Sequence, residues 1–236
     1  MIADLKRKVG IKMLKGVIFD MDGVIINSEP QHYEAYVMFC GDYGVEFPYE
    51  IYKGFIGSTH AKVCKYMKEH FAIPVTEEEM QEKLREYREY LVKTKGYEEI
   101  AGIKELIRDL HKNGMKLAIA SSSPEKEIHK VVKSLGIESY FTKLVSGEKV
   151  ANPKPAPDVF LKAARELELS VEECIIIEDS ANGVKAAKTA GIPAIGFYNS
   201  DSGEQDLSQA SIVVEGFEEV DFDFVEKTYQ RAHSIP

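Results

Sequence analysis

The stretch IKELIRDLHKNGMKLAIA, Ile103 to Ala120, decides the fold class. Apolar residues at Ile103, Leu106, Ile107 and Leu110 fall at i, i+3, i+4 and i+7, the spacing of one helix face, and Gly114 stops that helix. KLAIA, 116–120, is then a short apolar run suited to a buried strand. The unit recurs downstream: Ile128, Val131, Val132 and Leu135 repeat the spacing, Gly136 ends it, and an apolar segment follows around Leu144 and Val145. The same reading predicts a helix over 157–167, a strand at CIII (174–177), a helix over 184–190 before Gly191, and strands at PAIGF (193–197) and SIVV (211–214). Short apolar strands alternating with amphipathic helices indicate a parallel sheet covered on both faces, so the fold class is α/β, a doubly wound, Rossmann-like sheet.

Upstream, the first strand, at 17–19, is separated from the rest of its sheet. Residues 28–99 break the alternation and offer several helical patterns. One face, Met80, Leu84, Tyr87 and Leu91, is opened by a capping box, Thr76-x-x-Glu79, in which each residue satisfies the other's backbone N–H. The expected division is therefore a Rossmann-like catalytic core over 1–27 and 100–236, with an all-helical insert over 28–99 placed to cap the sheet's carboxyl edge.

Bulk properties narrow the function. The chain has 236 residues and a net charge of -9, from 30 basic and 39 acidic residues, which opposes general attraction to nucleic acid or anionic membrane. Cys40, Cys64 and Cys174 are isolated, so neither a zinc site nor a disulfide framework is indicated, and no apolar run approaches a membrane span. The expectation is a cytoplasmic protein, monomeric or a weak homodimer, with 1–12 a loose extension if Met13 is the natural start.

In open α/β sheets ligands bind beyond the carboxyl ends of the strands. Strand one ends in Asp20-Met21-Asp22-Gly23, KLAIA runs into Ser121-Ser122-Ser123-Pro124, and CIII is followed by Glu178-Asp179-Ser180. Between the last two, in Asn152-Pro153-Lys154-Pro155-Ala156-Pro157, three prolines hold a lysine at the start of a helix. If these strands are neighbours, carboxylates, a hydroxyl and one lysine converge on a single mouth. Oxygen-only ligands suit a hard ion, Mg²⁺ rather than Zn²⁺, and the lysine, a serine and the N–H groups after Pro124 suit a phosphoryl group. The chemistry indicated is phosphoryl transfer. A carboxylate can attack phosphorus once its charge is offset, giving an aspartyl phosphate, with Asp20 as candidate nucleophile. Asp22 could protonate the leaving oxygen and later take a proton from water, which needs a raised pKa under a closed cap.

Taken singly, each residue has a plainer reading. An aspartate at a strand end can be a turn former, Lys154 a surface lysine, Ser123 an N-cap before Pro124, Ser122 part of the turn and Glu178 a capping acid. Convergence on one sheet edge is what favours chemistry.

Together, DMDGV, the serine after the second sheet strand, KPAPD and EDS resemble the haloacid dehalogenase superfamily, in particular its branch with a helical cap inserted after the first strand. The resemblance runs from about Leu14 over nearly the whole chain. It implies Asp20 as nucleophile, Asp22 as acid/base, Ser121 and Lys154 as phosphate binders, and Glu178 and Asp179 as Mg²⁺ ligands beside the Asp20 carboxylate and the Asp22 carbonyl; Ser122, next to Ser121, is a further candidate on the phosphate side. In pattern the chain is most similar to the β-phosphoglucomutase-like branch. There His32 falls where a histidine assists the acid/base aspartate, and both His32 and His60 stand as substrate-side residues.

Three departures matter. His60, after Gly57-Ser58-Thr59, stands where a mutase has an arginine for the distal phosphate; the mutase's cap lysine has no counterpart among Arg85 and Arg88; and Asn27 replaces an aspartate. A mutase must hold a bisphosphate by its far phosphate, and histidine lacks the guanidinium fork. These departures favour a Mg²⁺-dependent phosphatase of a small phosphorylated metabolite, a sugar phosphate, over a sugar-phosphate mutase. A phosphoacceptor signalling domain places its aspartate on an interior strand and needs no cap, and a non-catalytic binding module has no need of every catalytic position filled.

Overall fold

The structure, a computed structural model, describes residues 13–56 and 60–234, the side chain of His60 excepted. The expectations for 1–12, for Gly57-Ser58-Thr59 and for the His60 side chain lie outside the described residues.

The described residues form two compact units: one of 13–26, 99–199 and 205–234, the other of the described residues between 27 and 98 with 200–204. The first is built on six parallel strands, β1 (Gly16–Phe19), β2 (Lys116–Ser121), β3 (Lys143–Ser146), β4 (Cys174–Glu178), β5 (Ala194–Phe197) and β6 (Ile212–Val214), in the order β3-β2-β1-β4-β5-β6. This is the doubly wound order, and its direction reverses at β1. Phe19 is in register with Ile119 on one side and Ile177 on the other. Asp20, just past β1, is therefore level with Glu178 at the end of β4 and with Ala120, one residue before the end of β2 at Ser121.

Helices α5 (Ile103–Lys112), α6 (Glu125–Ser134), α7 (Asp158–Glu166) and α8 (Ala181–Ala190) alternate with the strands, and a further helix, α9 (Phe222–His233), closes the chain. Ile103, Leu106, Ile107 and Leu110 are all buried, as their spacing predicts. Fully burying each such side chain stabilises by roughly 1.5–3 kcal/mol. Phe160, Ala163 and Ala164 of α7 and Val184 and Ala187 of α8 share a core with Ile18, Ala118, Ala120 and Ile176. Alternation along the strands turns Val17, Phe19, Leu117 and Ile177 to the opposite face. Nothing was expected after 214, yet Asp221 caps α9 by accepting the Phe224 N–H at 2.8 Å, and Val225, Thr228 and Tyr229 are buried.

The second unit carries α1 (Glu29–Gly41), a single turn α2 (Tyr49–Lys53), α3 (His60–Phe71) and α4 (Glu77–Lys95). Its core gathers Tyr36, Phe39, Phe47, Tyr52, Met67, Met80, Leu84 and Leu91. The capping box on α4 is formed in both directions, Glu79 N–H to Thr76 Oγ1 at 3.2 Å and Thr76 N–H to Glu79 Oε2 at 2.8 Å. Among the described residues, no helix is long and apolar enough to cross a membrane.

Candidate active site

Asp20 is the first residue past β1, and its N–H continues the ladder to the Ile177 carbonyl at 2.9 Å. That bond fixes the backbone, so the carboxylate is placed by the sheet itself. Gly23 then takes a positive φ of 82°, which glycine adopts without strain, and its N–H donates to the Ile26 carbonyl at 2.7 Å. The turn folds Asp22 back beside the strand end.

Lys154 lies in the loop before α7, whose turn is closed by the Ala156 N–H on the Pro153 carbonyl. Its Nζ donates to Asp20 Oδ1 at 2.5 Å and to Glu178 Oε1 at 3.0 Å. All three side chains are withdrawn from solvent, with Lys154 7 % and Glu178 1 % exposed. Burial works against the Lys154 charge, but the Asp20 and Glu178 carboxylates outweigh it and hold the ammonium well above the usual lysine range. Burial pushes the Asp20 carboxyl up to about 7; Lys154 opposes that rise, and Glu178 and Asp22 add to it.

Glu178 is bound from several directions. Its Oε2 accepts the N–H groups of Asp179 and Ser180 at 2.6 and 3.1 Å, and its Oε1 accepts the Ser180 hydroxyl at 3.0 Å. Ser180 in turn caps α8 by accepting the Gly183 N–H at 3.0 Å. The carboxylate lies so close to the first turn of α8 that a Cβ on Gly183 would fall 1.5 Å from Glu178 Oε1. The cap of α8 is therefore Ser180 and not Glu178, whose carboxylate lies beside the helix N-terminus, where the macrodipole favours its charge, and is part of the buried cluster.

Oxygen atoms of Asp20, Glu178 and Asp179 lie within 4.8 Å of one another, and all three residues are buried. Three buried carboxylates gathered at one point concentrate negative charge, which burial makes costly. The donor set, oxygen only, fits a hard divalent cation of the Mg²⁺ type.

Asp22 is part-buried and belongs to a different group of partners. Its Oδ2 accepts the Ser123 hydroxyl at 2.6 Å and the Ser121 hydroxyl at 3.4 Å, while the Ser121 oxygen accepts the Ser123 N–H at 3.0 Å. Ser123 was expected to cap a helix. The structure corrects this: α6 is preceded by Pro124 with no side-chain cap, and the Ser123 hydroxyl goes to Asp22 instead. Ser122 is exposed. His32 belongs to the helical unit, where burial, helped by the Arg88 charge, lowers its pKa to about 3.

The sequence pattern of the haloacid dehalogenase-like hydrolases matches residues 17–197, from β1 through β5, a span that takes in Asp20, Asp22, Lys154, Glu178 and Asp179. The chain belongs to this family. As a member it is an enzyme, and several of its relatives are named as phosphatases. This hydrolase is 31 % identical over 182 residues to the phosphorylated carbohydrates phosphatase of Thermotoga maritima, across 77 % of this chain and 84 % of that one. It is 27 % identical to the fructose-1-phosphate phosphatase of Escherichia coli, across 76 % of this chain and 94 % of that one. Among solved structures it is similar to the β-phosphoglucomutase of Clostridium difficile, with a TM-score of 0.74, 25 % identity and coverage of 93 % of this chain and 98 % of that one.

Sequence reasoning passed over two features of this hydrolase's site. Ser123 reads from the sequence only as an N-cap before Pro124, with no sign that its hydroxyl reaches Asp22. Gly183 gave no signal, because only the packed structure shows what occupies the space beside it. In the helical unit, Asn27 has a physical reason. Its Nδ2 donates to Asp201 Oδ2 at 2.7 Å and to Glu98 Oε1 at 3.3 Å, so an amide stands where an aspartate would face two carboxylates.

Proposed function

We propose that this hydrolase is a Mg²⁺-dependent phosphatase of a small phosphorylated metabolite, a sugar phosphate, working through an aspartyl phosphate on Asp20. The observation that carries the reading is the buried contact of Asp20 with Lys154 beside Glu178 and Asp179, at the point where the strand order reverses. Asp20, Glu178 and Asp179, with the Asp22 carbonyl, would hold Mg²⁺, whose charge would offset repulsion between carboxylate and phosphate. Lys154 pairs with the phosphoryl oxygens and keeps Asp20 oriented. A carboxylate oxygen of Asp20 forms a bond to phosphorus as the ester P–O bond breaks, and the leaving oxygen takes its proton from Asp22. Water then gives a proton back to Asp22 and attacks the same phosphorus, which releases orthophosphate and restores the Asp20 carboxylate. Ser123 and Ser121 hold Asp22 during both transfers. The names of the two phosphatase relatives support a phosphorylated carbohydrate as substrate.

The second reading, a sugar-phosphate mutase, is favoured by the likeness to a solved β-phosphoglucomutase. Phosphate release over a panel of sugar phosphates, with and without Mg²⁺, separates the two. The phosphatase reading predicts Mg²⁺-dependent orthophosphate from at least one sugar phosphate. Conversion of β-glucose 1-phosphate to glucose 6-phosphate in the presence of a bisphosphate activator, with little free phosphate, would reverse the order.

A further inference from the structure

Lys154 has one neighbour that the catalytic reading leaves unexplained. The Nζ lies 4.7 Å from the centroid of the Phe160 ring, inside the range of a cation–π contact. Phe160 is fully buried on α7, six residues after the lysine, in a core cluster that is otherwise almost wholly aliphatic. Any apolar side chain would fill such a place in a core. Only an aromatic one presents a negative face to an ammonium.

We propose that Phe160 is a positioning residue for phosphoryl transfer: its ring face holds the Lys154 ammonium in place while Asp20 exchanges its charge for a phosphoryl group. The proposal rests on the phosphatase reading. In the resting site the ammonium is shared between Asp20 Oδ1 and Glu178 Oε1. As Asp20 bonds to phosphorus its carboxylate charge passes out of that contact, and the ammonium must follow the phosphoryl oxygens while Glu178, at 3.0 Å and itself fixed by the N–H groups of Asp179 and Ser180, still pulls on it. An ammonium drawn fully to Glu178 would leave the phosphoryl oxygens. The ring face does not titrate and is not consumed by the reaction, so its attraction is the same before and after Asp20 is phosphorylated. A third carboxylate in its place would add negative charge where an anionic substrate must enter.

The test replaces Phe160 by phenylalanines carrying one, two and three ring fluorines, which withdraw electron density from the face while nearly conserving shape. Steady-state kinetics with p-nitrophenyl phosphate are read beside thermal unfolding. The expected result is a stepwise fall in kcat that tracks the loss of cation affinity of the ring, reaching about tenfold for the trifluoro ring, with KM changed less than kcat. Phe160→Tyr keeps the face and should stay within about threefold of the parent enzyme. Phe160→Leu should match the trifluoro protein if it folds, and the fluorinated series decides the matter if it does not. A kcat that is flat across the series in an enzyme that turns over makes Phe160 a packing residue and overturns the proposal, leaving the phosphatase reading intact. A parent enzyme that releases phosphate from no ester overturns both.

Discussion

Asp20 and Asp22 stand two residues apart, yet they are held by different partners, and that difference separates their proposed roles. Asp20 is buried against an ammonium; Asp22 is part-buried and held by hydroxyls. Asp20→Asn preserves shape and removes the attacking charge, so phosphate release should fall by at least about 10³-fold while circular dichroism stays that of the parent. Ordinary turnover by that variant would sink the nucleophile assignment. Asp22→Ala should instead slow the expulsion of poor leaving groups, lowering turnover of an alkyl phosphate about tenfold more than that of p-nitrophenyl phosphate. Equal losses on the two esters would count against Asp22 as the proton donor. At this scale position was legible in the sequence, because Asp20, Glu178 and Asp179 each follow an apolar run and Lys154 is fenced by prolines. What was not legible was partnership. Three consecutive serines offer the same hydroxyl, and only the turn of the backbone after β2 decides that Ser121 and Ser123, rather than Ser122, reach Asp22.

The first turn of α8 shows how an element carries a site. Ser180 caps the helix, Glu178 folds over its amino end, and Gly183 leaves the room in which the carboxylate lies. Gly183→Ala must either push Glu178 away, breaking its bonds to Lys154 and the Asp179 N–H, or lift the start of α8 from β4. Either route should cost roughly 2–3 kcal/mol, read as a lower urea midpoint, and should reduce phosphate release because Lys154 loses a partner. A variant with unchanged midpoint and turnover would show that the close approach is without consequence. Helical and strand periodicities made the elements from Ile103 to Val214 readable, since each buries one face or one run of apolar residues. Helix α9 was missed, although Asp221 with Val225, Thr228 and Tyr229 carries both a cap and a buried stripe. Its polar and aromatic stripe residues weaken the apolar signal on which the reading relied.

At the scale of the whole molecule, alternation told that the sheet is parallel but not which strands pair. Strand order comes from long-range packing, and no local pattern placed β1 between β2 and β4, the arrangement that brings Asp20 beside Glu178. Acid stability of the whole molecule is equally a matter of packing, and His32 gives it a definite sign. Burial and the Arg88 charge hold the folded-state pKa of His32 near 3, below the ordinary histidine value of 6.5. As pH falls below that ordinary value, the unfolded chain takes up a proton that the folded protein refuses. Stability from His32 is therefore fully present above about pH 6.5 and is lost progressively as pH falls toward 3. His32→Gln removes this proton from both states. Urea unfolding of the parent and the variant, compared between pH 7 and pH 4, should give a difference that changes steadily in the variant's favour as the solution is acidified. Because the other titrating groups are common to both proteins, the difference isolates His32, and a gap that does not vary with pH would mean that the imidazole is as readily protonated in the folded protein as in the unfolded chain.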